Sequence, residues 1–111
     1  MDALIRDIIA FRDERDWKQF HKPKDLAISL TLEASELLEL FQWEAADGVP
    51  EGKREALRDE LADVMIYALT LAHDLGIDVE AAIRDKMRKN AAKYPVEKSR
   101  GSSKKYTELN P

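Results

Sequence analysis

Apolar residues recur along this chain in steps of three and four, the rhythm of an amphipathic helix at about 100° per residue. Leu4, Ile5, Ile8, Ile9 and Phe11 set that rhythm in "DALIRDIIAFRDERDW", which reads as a first helix. "FHKPKD" interrupts it, because Pro23 restricts its predecessor and Asp25 is placed to cap a second helix over about residues 25–44. Gly48 and Pro50 stop that helix, and a third, over about residues 51–75, ends on Gly76 as a left-handed cap. Asp78 caps a fourth, which continues to about Tyr94 and halts at Pro95. The remaining "VEKSRGSSKKYTELNP" is polar and reads as a mobile or draped tail. With no convincing strand and no repeat of solenoid length, the pattern predicts an all-α fold, most simply a helical bundle.

Two of these helices place acids where a core belongs. In "SLTLEASELLELFQW", Leu26, Leu30, Leu37 and Leu40 form one stripe, with Glu33 in its middle and Glu36 on its flank. In "EALRDELADVMIYALTLA", Glu60 shares a face with Leu57, Val64, Tyr67, Leu71 and Leu75, and Asp63 lies one turn along. An unpaired carboxylate in a dry interior costs several kcal/mol or takes up a proton, so a cation should meet these four groups. An internal salt bridge, or a stripe wide enough to leave the acids at its wet edge, is the plain structural alternative. A di-iron centre of the carboxylate-bundle type requires Glu-x-x-His on two helices. His73 lies on the opposite side of its helix from Glu60, and His21 sits in the Pro23 loop, so neither supplies the nitrogen. The remaining choice is a hard divalent cation held by oxygen alone, Mg²⁺ or Mn²⁺.

Charge changes this picture by its distribution. The chain has 111 residues, 44% hydrophobic and 36% charged, which suits one folded domain whose burial is completed by association. Its net charge of -4 divides into +6 over residues 84–111 and -10 over the rest. An acidic body with a basic end is poorly suited to gripping a nucleic-acid polymer. No apolar run approaches the ~20 residues of a membrane span, and the N-terminus lacks a leader pattern, so the expected setting is cytoplasmic. The absence of cysteine excludes disulfides, thiolate metal sites and cysteine nucleophiles.

If the cation meets phosphates, their counter-charges belong on the fourth helix. Lys86, Asn90, Lys93 and Tyr94 fall on the side that also carries Val79 and Ile83, and the tail adds Lys98, Arg100, Lys104 and Lys105. Trp17 and Trp43 both stand where a helix ends, and with Phe20 they offer flat surfaces on which a base can stack, or else ordinary packing.

The runs "ERDWKQFHKPKDLAISLTLEASELLELFQW", "ELADVMIYAL" and "KMRKNAAKYPVEKSRGSSKKYTEL" resemble the MazG-like all-α nucleoside triphosphate pyrophosphohydrolases, and within them the branch that contains the dCTP pyrophosphatases. The resemblance implies a four-helix bundle over residues 1–96, completed by oligomerisation as a homodimer or homotetramer, and an extended basic tail over 97–111 that closes over the phosphates. It implies Mg²⁺-dependent hydrolysis of a nucleoside triphosphate, dCTP or a modified pyrimidine deoxynucleotide, to the monophosphate and pyrophosphate. Glu33, Glu36, Glu60 and Asp63 match the metal-holding acids, with Glu33 or Glu36 as the catalytic group that orients or deprotonates water. The first acid of the longer family motif is Leu32 here. Lys86, Asn90, Tyr94, Arg100 and Lys104 match the phosphate-binding positions. Trp17 and Trp43 match the base-pocket aromatics, and Tyr67 is assigned to the same pocket. Ile8 stands where the animal dCTP enzymes are expected to carry histidine. The same site acting on dUTP or another non-standard nucleotide, and a non-catalytic helical interaction module, are the competing readings.

Overall fold

The computed structural model of the chain describes residues 1–109. They form helices, turns and irregular links, with no strand among them. The all-α expectation therefore holds. By compactness the chain divides into two units, Met1–Ile77 and Asp78–Pro111.

The first unit contains α1 (Asp2–Glu14), a 3₁₀ turn (Lys18–Phe20), α2 (Pro23–Glu39) and α3 (Arg54–Asp74). α2 packs along α3, and α1 packs on α3 as well. Leu26, Leu69, Ala72 and Pro50 are the buried apolar residues among those described, and Leu26 alone is fully enclosed, so this unit has a thin interior. Arg12 is buried with them, and its guanidinium donates to Asp74 at 2.7 Å, which pins α1 to the end of α3.

Local chemistry explains where each helix stops. α1 ends before "RDW", because Asp16 turns left-handed at φ 53°. The Trp17 and Asp16 amides then close on the Arg12 and Asp13 carbonyls at 3.1 Å each, the paired bonds of a Schellman ending. Asp tolerates that conformation better than most non-glycine residues, and the Gln19 amide donates to its carboxylate at 3.0 Å. α3 ends the same way on Gly76 at φ 67°, as its sequence indicates.

α2 begins at Pro23 behind Lys22, so Asp25 lies inside the first turn, where its charge favours the helix dipole, and is not the cap. Its other end also differs from the expected span. From Leu40 to Gln42 the amides bond three residues back instead of four, so regular helix stops at Glu39 and Trp43 lies beyond it.

The second unit begins as predicted: the Asp78 carboxylate accepts from the Ala81 amide at 3.0 Å and caps α4 (Val79–Lys93). Pro95 follows the Tyr94 C-cap. The tail is not extended throughout. It contains two short helical turns, α5 (Val96–Ser99) and α6 (Tyr106–Leu109), and Tyr106 sets its ring edge-on to Tyr94 at 6.2 Å. Asn110 and Pro111, the end of the expected tail, lie outside the described residues.

Candidate active site

The packing of α2 on α3 turns two separate acid pairs into one cluster. Glu33, Glu36 and Glu60 each bring a carboxylate oxygen to within 4.8 Å of the other two. Glu33 and Glu60 are half-buried, and each has one oxygen, Oε2, that is enclosed and has no hydrogen-bond partner. Burial, then the neighbouring carboxyls Glu36 and Glu60 and the charge of Asp63, raise the Glu33 pKa from 4.5 to about 7. Burial, countered in part by Glu33, raises that of Glu60 as well. Orphaned oxygens crowded against like charge are an arrangement that a cation would relieve. The donor set, all carboxylate and open on the Glu36 side, fits a hard divalent ion and offers no nitrogen or sulfur to a softer one. Asp63 stands outside the close trio, although its charge acts on Glu33.

Asp63 also borders a cleft of about 440 Å³ between α1, the following turn and α3. Ile8, Phe11, Trp17, Ile66 and Tyr67 give it apolar walls, and Asp7, His21 and Thr70 are among its polar groups. Trp17 meets Phe11 edge-on at 5.9 Å, and the Arg15 guanidinium covers the Phe11 ring at 3.6 Å, so the aromatic wall is braced from behind. Tyr67 is held on its side by the His21 ring at 6.3 Å. Trp17 and Tyr67 thus come together, whereas Trp43 is 89% exposed and lines no part of this cleft.

In the second unit, Lys86, Asn90 and Tyr94 follow one another at four-residue steps and share one face of α4. All three are exposed, as are Arg100 and Lys104 on the tail. Neighbouring positions are already paired, Arg84 with Glu80 at 3.2 Å and Arg88 with Asp85.

Of α1, the family resemblance singled out Ile8 alone; Asp7 and Phe11 were missed. Asp7, Ile8 and Phe11 share a helix face, and that face points to the cleft, but only the packing of α1 on α3 identifies it. His21 was weighed solely as a metal ligand, while its place is the cleft wall.

Two paired helices thus set an acid cluster beside an aromatic cleft in an all-α chain. Residues 28–109 match the model of the MazG-like family, and the chain belongs to that family. It is similar to dCTP pyrophosphatase 1 of Homo sapiens, 47% identical over 105 residues, which covers 89% of this chain and 61% of that protein. The Mus musculus protein of the same name is 45% identical over 104 residues, with the same shares covered. The chain therefore spans about 61% of the length of these curated relatives. A crystal structure of a pyrophosphatase from Archaeoglobus fulgidus DSM 4304 matches with a TM-score of 0.81 at 40% identity, over 86% of this chain and 92% of that one.

Proposed function

We propose that this protein hydrolyses a nucleoside triphosphate, dCTP or a modified pyrimidine deoxynucleotide, to the monophosphate and pyrophosphate. The observation that carries the reading is the contiguity of cleft and acids: Asp63 lines the one and acts on Glu33 of the other. A base seated against Trp17 and Tyr67 would leave its phosphates beside the acid cluster. The similarity to dCTP pyrophosphatase 1 supports the same substrate.

Glu33, Glu36 and Glu60, with Asp63 completing the set, are the residues that would hold Mg²⁺. When bound, Mg²⁺ supplies charge neutralisation and polarisation at the phosphate oxygens. Glu33 or Glu36 orients a water toward the α-phosphorus and accepts its proton as the new P–O bond forms. The bond from the α-phosphorus to the bridging oxygen breaks, and pyrophosphate leaves with the electron pair. Trp17 and Tyr67 flank the base and exclude water from its faces. Lys86, Asn90, Tyr94, Arg100 and Lys104 are proposed as phosphate donors on the strength of their chemistry, with Trp43 as a further aromatic contact to the base. The proposal includes a homo-oligomer, a cytoplasmic setting and no nucleic-acid polymer as partner. No helix among the described residues is long and apolar enough to cross a membrane.

The test is to incubate the purified chain with Mg²⁺ and a panel of canonical and 5-substituted nucleotides and to identify products by ³¹P NMR. Monophosphate and pyrophosphate are expected. Diphosphate with inorganic phosphate, or no turnover of any nucleotide, would overturn the proposal.

A further inference from the structure

The cleft presents Asp7, an exposed carboxylate, on its α1 side, and no hydrogen bond or ion pair among the described residues engages it. Asp7 lies beyond the first turn of α1, so it adds little to the helix dipole. Its helical neighbours three and four residues away are Ala3, Leu4, Ala10 and Phe11, none of them a cation. Among the described residues it makes no ion pair or hydrogen bond, and no other polar group occupies it.

The other polar groups of the cleft are differently committed. The Arg12 guanidinium is spent on Asp74 at 2.7 Å. The Thr70 hydroxyl donates to the Ile66 carbonyl at 2.7 Å. Asp63 belongs to the acid end of the cleft through its action on Glu33. Two enclosed nitrogens lack a hydrogen-bond partner, His21 Nδ1 and Arg12 Nε, and the second of these is already ion-paired with Asp13 at 3.4 Å. The groups left to read a ligand are therefore a carboxylate, which accepts only, and an imidazole.

We infer that Asp7 is the specificity-determining residue of the base cleft, selecting a pyrimidine that carries an exocyclic amine over one that carries a carbonyl in its place. The inference rests on the proposed pyrophosphohydrolase reading and names the substrate class within it. An amine at ring position 4 donates to the Asp7 carboxylate, the pairing by which carboxylates read cytosine. A 4-carbonyl turns an acceptor toward an acceptor, leaving both unpaired as water is excluded. His21 faces the remaining ring edge, while Ile8 and Phe11 stay apolar and carry no choice of base. A substituent at ring position 5 does not alter this contact, so 5-substituted cytosines stay within the selected class.

The experiment uses the full chain and measures two quantities: turnover of dCTP and dUTP, and calorimetric binding of their non-hydrolysable α,β-imido analogues. The wild type is expected to favour the cytosine nucleotide by about tenfold or more. In Asp7→Asn, whose amide offers either a donor or an acceptor, that preference is expected to shrink toward unity, chiefly by a higher KM for dCTP and a lower one for dUTP. A melting curve confirms that this exposed substitution leaves the fold intact. Equal binding of the two analogues by the wild type, or an unchanged preference in Asp7→Asn, would overturn the role of Asp7 while hydrolysis of both triphosphates left the broader proposal standing. Selective binding lost in Asp7→Asn, without turnover by the wild type, would support Asp7 and overturn the hydrolase reading.

Discussion

At the scale of single residues, the acid cluster carries the proposed activity and a pH-dependent part of the stability, and the two can be separated. Glu60 contributes one of three converging oxygens without belonging to the same helix as the other two. In Glu60→Gln, turnover is expected to fall by about 100-fold or more, with the helical circular-dichroism spectrum retained. Full activity in that variant would remove Glu60 from the site. Glu33 gives a pH dependence with a definite sign. The folded chain keeps a proton on Glu33 up to about pH 7, whereas the unfolded chain releases it near 4.5. The folded form therefore binds more protons in that window, and its stability falls as pH rises through it. In chelator, the melting temperature of the wild type relative to Glu33→Gln should decline from about pH 4.5 to 7, and Mg²⁺ should flatten or reverse that slope. A slope of opposite sign in chelator would mean that Glu33 is not burdened by its neighbours.

At the scale of elements, helix ends decide what reaches the site, and they show which parts of the fold are legible in the sequence. Gly76, Asp78 and Pro95 act through their own backbone or side-chain chemistry, so the ends they make are readable from residue type. The left-handed turn at Asp16 carries no glycine signal, yet it places Trp17 at the cleft. The tightening after Glu39 likewise follows from geometry, and it leaves Trp43 beyond the helix. The acid pairs were legible because a carboxylate inside an apolar stripe is costly wherever the helix packs. Of the cleft, the family resemblance reached Ile8, Trp17 and Tyr67, whereas Asp7, Phe11 and Ile66 were not legible, since the walls come from α1 and α3, separated by some fifty residues. Gly76→Ala tests the cap logic. An added Cβ meets nothing within 4 Å, so the cost is backbone strain alone at φ 67°. A loss of about 1 kcal/mol in denaturant unfolding is expected, with turnover little changed. No measurable loss would show that α3 can end without the left-handed residue.

At the scale of the whole molecule, burial and exposure are out of balance in a way that bears on assembly. In the first unit Leu26, Leu69, Ala72 and Pro50 are the buried apolar residues, whereas Leu32, Leu61 and Met65 on the paired helices are about half exposed and Leu38 is 71% exposed. A helix with apolar residues on more than its packed face needs a second surface to cover them. The proposed homo-oligomer supplies one, and it ties stability to concentration. Association that occurs only in the folded state raises the melting temperature by mass action, so that temperature should climb as protein concentration increases from about 1 to 100 µM. Sedimentation at the upper end should give a dimer or tetramer. Leu38→Glu places a charge on the most exposed of these leucines, and it should lower both the sedimenting mass and the concentration dependence if α2 contributes to the shared surface. A melting temperature independent of concentration, with a monomer in sedimentation, would instead mean that the thin interior of a single chain suffices, and the exposed leucines would have to be explained without a second copy.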